Sequence, residues 1–339
     1  MPFSVSDLAN KIEEVIRAAQ QERVSCEPVF SQSPAPTGKN EFLFFIKPEI
    51  TLADDSIQLS QLLEVILSSV QENGLDIINA QVLSAQYLEQ HNIIAQHYGV
   101  INKLANDAVG AMSDGAKSKF ASLYGSGVEE ANVLGGFEVL KAYPDFNATT
   151  LEYLWQNVGS EKLAGGTYSI KVSFDGKEVF IVDGFHPRQL EHFTAKGRSI
   201  VVFTLVGDID WEKARQEFIG ATNPQKAHEN SLRRNFLDHK STYGLAEVSQ
   251  GSNGVHLSAG PIEGLVELIR YNSNFETQDL KNYQDFAFGK QLAAHFSPEQ
   301  VEDILNNVDV EVDGKKVSVF DLTEEKNSEE SLELLKQFM

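Results

Sequence analysis

Apolar and polar positions along the chain follow two alternating patterns, one typical of buried strands and the other of amphipathic helices. The segment EFLFFIKP (41–48) is an apolar run that ends at a proline, as a buried strand does. Next come LSQLLEVILSSVQENG (59–74), whose apolar residues recur at helical spacing, and LDIINAQVLS (75–84), which alternates like a strand. This part of the chain is therefore predicted to form a strand, a helix and a second strand.

The core pattern returns after a long interval. A helix is predicted over 85–98, and the next core strand is SIVVFTLVG (199–207). The segment DWEKARQEFIG predicts a helix, a short strand is expected near Val255, and IEGLVELIRY (262–271) predicts another helix. The interval itself is predicted to be an insertion, in which Asp-Gly at 175–176 joins two alternating runs as a hairpin turn does.

This divided core sets the domain boundaries that we expect. Residues 1–40 are predicted to form an N-terminal helix and a linker with three prolines, whereas 41–104 and 197–272 are predicted to form the core. Residues 105–196 are the predicted insertion. Residues 273–339 are predicted to be a C-terminal extension with a second Asp-Gly hairpin and a final helix.

Composition narrows the class of protein. The 339 residues include 28 Lys and Arg against 49 Asp and Glu, a formal net charge of −21 that argues against nucleic-acid binding. No apolar stretch approaches the length of a membrane span, and no secretory signal is visible, so a cytoplasmic protein is expected. The single cysteine, Cys26, cannot close an internal disulfide.

The common devices for binding phosphates and metals are absent from the sequence. There is no GxxxxGK[ST] loop, no GxGxxG after a strand and no GxSxG. His186 and His192 are six residues apart and do not share a helical face, so no dedicated metal site is predicted. Any phosphate site must then use isolated cations and backbone N–H groups.

Four strings in a fixed order supply such groups: FIKPE (45–49), IGATNPQKAHENSLR (219–233), NGVHLS (253–258) and Glu267 within a helix. Together they resemble nucleoside diphosphate kinases, whose pattern runs I-K-P-D, G-x-T-N-P, T-I/L-R and N-x-x-H-G-S-D-S, with a glutamate in the next helix. The resemblance covers roughly 41–104 and 197–272. Taken alone, a histidine after an apolar residue is more often structural, and it is the set that suggests chemistry.

The resemblance implies that His256 accepts a phosphoryl group and passes it on, because a neutral imidazole is nucleophilic near neutral pH. It implies that Glu267 fixes the ring tautomer, that Ser258 belongs to the catalytic group and that Tyr98 stacks on the base. The resemblance also implies a set of residues that contact the phosphates or the ribose as cations or hydrogen-bond donors, namely Lys47, Thr222, Arg233 and Asn253.

Departures from the family pattern are visible too. Ala259 and Gly260 replace its closing aspartate and serine, and Glu49 replaces the aspartate after Lys47-Pro48. The helix arginine of the family falls on Gln216. Arg215 is one residue away and would point about 100° aside on an ideal helix, which predicts a missing phosphate ligand. Arg188, in GFHPRQ of the insertion, and Arg234 are candidate substitutes.

Pattern and resemblance together predict a ferredoxin-like βαββαβ antiparallel α+β sandwich with a large insertion and terminal extensions. The implied activity moves the γ-phosphate of ATP or another nucleoside triphosphate to a nucleoside diphosphate, with Mg²⁺ delivered by the nucleotide. Two alternatives stay open: a kinase of the same fold with a non-nucleotide acceptor, and a non-catalytic nucleotide-binding module. The family often forms homo-oligomers, and the assembly state here stays open.

Overall fold

The computed structural model describes residues 4–20, 23–52, 54–174 and 176–339. The chain divides into two compact units. The first unit is formed by the residues up to His91 and from Lys196 onwards, and the second by Asn92–Ala195. Within the described ranges, no helix has both the length and the apolar character needed to cross a membrane.

The strands of the described residues are numbered in chain order. They are β1 (Cys26–Ser31), β2 (Asn40–Ile46), β3 (Leu75–Ser84), β4 (Val133–Gly135), β5 (Glu161–Ala164), β6 (Thr167–Phe174), β7 (Lys177–Val182), β8 (Ser199–Gly207), β9 (Val255–Leu257), β10 (Asp309–Val312) and β11 (Lys315–Ser318).

The α-helices are numbered in the same way. They are α1 (Val5–Ala19), α2 (Leu59–Glu72), α3 (Ala85–Gln90), α4 (Ile93–His97), α5 (Gly99–Asn106), α6 (Ala108–Ala111), α7 (Asp114–Tyr124), α8 (Gly136–Ala142), α9 (Ala148–Val158), α10 (His186–Thr194), α11 (Trp211–Lys213), α12 (Leu232–Asp238), α13 (Pro261–Asn272), α14 (Ala287–His295), α15 (Pro298–Leu305), α16 (Val319–Thr323) and α17 (Ser328–Phe338). A π-helix, Ala214–Ile219, continues α11, and 3₁₀ turns occupy Pro224–Lys226 and Tyr283–Asp285.

The sheet of the first unit has the strand order β1-β3-β8-β2-β9, and each neighbouring pair is antiparallel. Helix α2 connects β2 to β3, and α11 with the π-helix lies between β8 and β9, so the elements follow the order βαββαβ. The four strands of this βαββαβ unit are β2, β3, β8 and β9 in chain order. They lie side by side in the order β3-β8-β2-β9, which is the ferredoxin-like arrangement. The predicted α+β fold is therefore confirmed.

Alternation along β2 sends its side chains to two faces of the sheet. Phe42 and Phe44 join the core formed with α1, α2 and the π-helix. Phe45 contacts Tyr271 of α13, with the ring centroids 5.5 Å apart. Phe45 is paired with His256 in the strand register, and paired residues share a face. The apolar pattern of β2 thus fixes His256 on the face of the sheet that α13 covers.

Strand β1 lies in the segment that the sequence predicted to be a linker. The strand contains Pro28 and pairs with β3, with a register shift between Pro28 and Phe30. Proline is tolerated there because β1 is an edge strand and offers an unpaired side. The prolines concealed the strand from a pattern-based prediction.

The helix predicted over 85–98 and the hairpin predicted near the C-terminus have different outcomes. The helix predicted over 85–98 is interrupted, since α3 ends at Gln90 and Asn92 adopts a left-handed φ of 53°. The C-terminal Asp-Gly hairpin is confirmed as β10 and β11, and Asp313 and Gly314 both have the positive φ that a tight primed turn needs, 51° and 74°.

The second unit contains its own sheet, with the order β4-β7-β6-β5. Strands β4 and β7 are parallel, and the other pairs are antiparallel. The predicted hairpin is present as β6 and β7, which pair up to Phe174 and Lys177. Residue 175 of its predicted turn lies outside the described residues, as do residues 21–22 after α1.

Candidate functional site

His256 lies on β9, and its ring stacks on Phe45 of β2 with the centroids 4.5 Å apart and the planes 21° from parallel. Both carboxylate oxygens of Glu267, on α13, are 3.1 Å from Nε2 of His256. The Glu267 side chain is 3% exposed, whereas that of His256 is 18% exposed. The ring is therefore packed on one side and oriented by a carboxylate, yet still accessible.

Burial lowers the pKa of His256 well below 6.5, and the nearby cations Lys47, Arg215 and Arg233 lower it further. The imidazole is therefore neutral near neutral pH. An ionised carboxylate only accepts hydrogen bonds, so the ring proton lies on Nε2, facing Glu267. The lone pair of the neutral ring is then on Nδ1, the nitrogen that can act as a nucleophile.

Lys47 follows β2 directly and its Nζ donates to Oδ1 of Asn253, 2.8 Å away. The amide of Asn253 in turn donates to the carbonyl oxygen of Thr222 at 3.0 Å. This bond joins the loop that contains Thr222, Asn223 and Pro224, here called the TNP loop, to the segment before β9. Burial lowers the pKa of Lys47 to about 8, although the Glu49 carboxylate opposes this change. Glu49 itself accepts from the backbone N–H of Gly254 at 2.8 Å.

Arg233 is 6% exposed and its guanidinium is bonded to the backbone on two sides. It donates to the carbonyl oxygen of Gly220 at 2.8 Å and to that of Val255 at 3.0 Å. These bonds connect the start of the TNP loop to β9 and place the charge of Arg233 next to the strand that carries His256.

Arg215 lies close to His256, contrary to the expectation that it points away. Its Nη1 donates to the carbonyl oxygen of Leu257 at 3.2 Å. The expectation assumed an α-helix, whereas Ala214–Ile219 is a π-helix with i to i+5 hydrogen bonds, which accommodates one more residue per turn. Gln216, at the position of the family's arginine, instead donates to Glu212 at 3.2 Å. In this wider turn, Arg215 reaches the strand that carries His256.

The two arginines thus bind the carbonyl groups on either side of His256, those of Val255 and Leu257. Both also line a cavity of about 520 Å³. Its described lining consists of Arg215, Gln216, Glu217, Gly220, Ala221, Thr222, Lys226, His228, Arg233 and Glu325. His256 is not among these lining residues, and the arginines connect the cavity to the strand that carries it.

Ser258 has a different place from the one that the resemblance implied. It is completely buried, and its hydroxyl donates to the carbonyl oxygen of Leu43 and accepts from the Leu43 N–H, each at 3.2 Å. These bonds join β9 to β2. The hydroxyl of Ser258 therefore has a structural contact and is directed to backbone atoms.

Tyr98 and Arg188 belong to the second unit. The ring of Tyr98 contacts His97 at a centroid distance of 4.7 Å and Phe193 at 6.3 Å. Arg188 pairs with Glu191 at 2.9 Å and with Glu152 at 3.7 Å. The other candidate substitute, Arg234, is in the first unit, and its Nε donates to both carboxylate oxygens of Asp238.

Three acidic residues near the site were missed by the sequence analysis. Glu263 precedes Glu267 by one helical turn, and burial, with the Glu267 charge, raises its pKa to about 8. The spacing of four residues was a usable signal. Glu324 and Glu325 pair with Arg215, and no local pattern marks a contact between residues so far apart in the chain.

The first unit thus combines a ferredoxin-like α+β fold with a neutral, carboxylate-bound histidine beside three buried or half-buried cations. Neither the comparison with protein-family models nor that with curated proteins finds a match. Solved structures similar to this chain include a nucleoside diphosphate kinase from Encephalitozoon cuniculi, 14% identical, with a TM-score of 0.34, covering 72% of this chain and 92% of that one. Another is an NDP kinase from Pyrobaculum aerophilum, 18% identical, with a TM-score of 0.32, covering 71% and 99%. At these values the likeness is distant.

Proposed function

We propose that the chain is a phosphotransferase that moves the γ-phosphoryl group of a nucleoside triphosphate to a nucleoside diphosphate through phospho-His256. The observation that carries the proposal is the environment of His256. Its Nε2 faces Glu267 at 3.1 Å, and Arg215 and Arg233 bind the carbonyl groups on either side of it. A neutral nucleophile beside fixed cations is what attack on a phosphate requires.

In the first half-reaction, Nδ1 attacks the γ-phosphorus. A nitrogen–phosphorus bond forms, the bond from phosphorus to the bridging oxygen breaks, and the nucleoside diphosphate leaves. The ring proton stays on Nε2, where the Glu267 carboxylate offsets the positive charge that the ring gains. In the second half-reaction, a terminal phosphate oxygen of the acceptor attacks the same phosphorus, and the nitrogen leaves as a neutral imidazole.

Charge on the transferred group would be offset by this chain's cations. Lys47 and Arg215 both lower the pKa of His256, so their charges are felt at the ring that makes the attack. Mg²⁺ would arrive with the donor nucleotide and offset the charge on its phosphate oxygens. Arg233 contributes its charge while holding β9 and the TNP loop together.

The proposal is tested by incubating the protein with ATP labelled in the γ-phosphate. We expect an acid-labile, base-stable phosphoprotein that is lost in His256→Gln. His295→Gln is the matched control, because His295 is exposed at the end of α14 and does not line the cavity, and this variant should keep the label. Equal labelling of wild type and His256→Gln would refute the proposal.

Discharge of the label identifies the acceptor. The proposed reaction requires that ADP or GDP remove the phosphate from His256. Label that persists with both diphosphates would instead support a kinase with another acceptor. Nucleotide binding without any label would support the non-catalytic alternative.

A further inference from the structure

The segment Thr323–Lys326 of the C-terminal extension lies against Ala259 and Gly260, the two residues that follow Ser258. The Glu325 N–H donates to the carbonyl oxygen of Ala259 at 2.9 Å. A Cβ added at Gly260 would lie 2.7 Å from the carbonyl oxygen of Thr323, which is too close. The segment therefore fits a surface that Gly260 keeps free of a side chain.

Both ends of this segment are fixed. Thr323 is 1% exposed, and its hydroxyl donates to the carbonyl oxygen of Val319 at 2.8 Å. At the other end, Oδ1 of Asn327 accepts from the Trp211 N–H at 3.0 Å and from the Asn40 amide at 2.8 Å. The two glutamates between these ends are thus held in place by the fold.

The two glutamates face Arg215. The Glu325 carboxylate is 3.5 Å from Nε, and the Glu324 carboxylate is 3.7 Å from Nη2. Charge-assisted hydrogen bonds are shorter, about 2.7 to 2.9 Å. The carboxylates therefore offset the charge of Arg215 without holding its donors in tight bonds, and an incoming anion has to compete with them.

Glu325 also lines the cavity that Arg215, Arg233 and Thr222 line. A carboxylate fixed in this cavity repels a bound anion, and the repulsion grows with the charge that the anion carries. A phosphate chain whose charge is partly offset by a divalent cation is repelled less than the same chain without one.

We propose that Glu325, supported by Glu324, makes this cavity selective for phosphates that are complexed with a divalent cation over free polyphosphate anions. The selectivity comes from competition with the ligand for Arg215 and from direct repulsion. This inference rests on the proposed function, since it assigns a specificity residue to the same phosphate site.

The test measures ATP binding by calorimetry, once with EDTA and once with excess Mg²⁺. Removing the charge in Glu325→Gln should tighten binding of metal-free ATP about fivefold and change binding of the Mg²⁺ complex by less than about twofold. The double variant Glu324→Gln/Glu325→Gln should bind metal-free ATP more tightly still. Glu311→Gln removes one charge from an exposed position on β10 and should change neither value.

An unchanged ratio of the two affinities in Glu325→Gln would overturn the inference, as would weaker ATP binding or no binding to either protein. Its failure is distinct from that of the proposed function. A ratio that changes as expected without label on His256 leaves the specificity residue in place and removes the phosphotransferase. Label on His256 together with an unchanged ratio would support the phosphotransferase and remove the role of Glu325 in specificity.

Discussion

The carboxylate of Glu267 meets Nε2 of His256 with both oxygens at 3.1 Å. The two residues come from different elements, since His256 is on β9 and Glu267 is two turns into α13. Because the carboxylate is buried, it cannot turn away to water, and the ring is held in one orientation and one tautomer.

Glu267→Gln should therefore lower the rate of His256 phosphorylation about tenfold to a hundredfold. The amide can donate to Nε2, which moves the ring proton to Nδ1, and it cannot offset the charge of the phosphorylated ring. The rate of label incorporation measures the effect, and ATP affinity from calorimetry should stay the same. A variant that is labelled as fast as wild type would show that the carboxylate has no such role.

The pH dependence of labelling should report Lys47. Burial lowers its pKa to about 8, so its ammonium is charged below that pH and neutral above it. At low ATP concentration, the rate of labelling should decline as pH rises through about 8. Lys47→Arg stays charged and should lack this decline, whatever its absolute rate. The same decline in both proteins would assign it to another group.

Glu263 should make the fold less stable as pH rises. Burial, followed by the Glu267 charge, raises its pKa from 4.5 to about 8, so the folded state binds its proton more tightly than the unfolded state. The resulting stability is complete below pH 4.5 and is lost as pH rises through about 8. Glu263→Gln should lack this loss of stability, which in the wild type is on the order of a few kcal/mol between pH 4.5 and about 8.

Urea denaturation at several pH values measures this effect. The wild-type free energy of unfolding should decline more steeply with pH than that of Glu263→Gln. Glu311→Gln, an exposed substitution of the same kind, should follow the wild type. Parallel curves for wild type and Glu263→Gln would contradict the prediction.

Gly260→Ala should destabilise the protein by about 1 to 3 kcal/mol, because the new Cβ overpacks against the backbone of Thr323. The segment should also open, which faster hydrogen exchange at the Glu325 amide would reveal. Gly251→Ala is the matched control, since a Cβ there meets no atom within 4 Å. Equal free energies of unfolding in the two variants would mean that the packing of the Thr323–Lys326 segment does not require a glycine at position 260.

The core fold could be predicted because its strands are either continuous apolar runs or alternate between apolar and polar residues, and its helices have clear periodicity. β2, β3 and β8 begin and end within a residue or two of the predicted segments. Two exceptions have local causes. Pro28 concealed the edge strand β1, and Asn92, with its left-handed φ, interrupts the predicted helix.

The site was predictable in part. His256 and Glu267 were expected together, and the structure brings them into contact. The contact between Arg215 and Glu325 could not be predicted, because it joins two segments that are far apart in the chain and share no local pattern. Ser258 was assigned by motif position alone, and pattern matching cannot show that its hydroxyl bonds to Leu43.

The π-helix at Ala214–Ile219 widens one turn of the chain between α11 and Gly220. Its wider turn absorbs an added residue in mid-helix, so two chains can present the same side chain from positions that differ by one. In a regular α-helix over the same residues, the side chain of Arg215 would be rotated away from the carbonyl oxygen of Leu257 that it binds here.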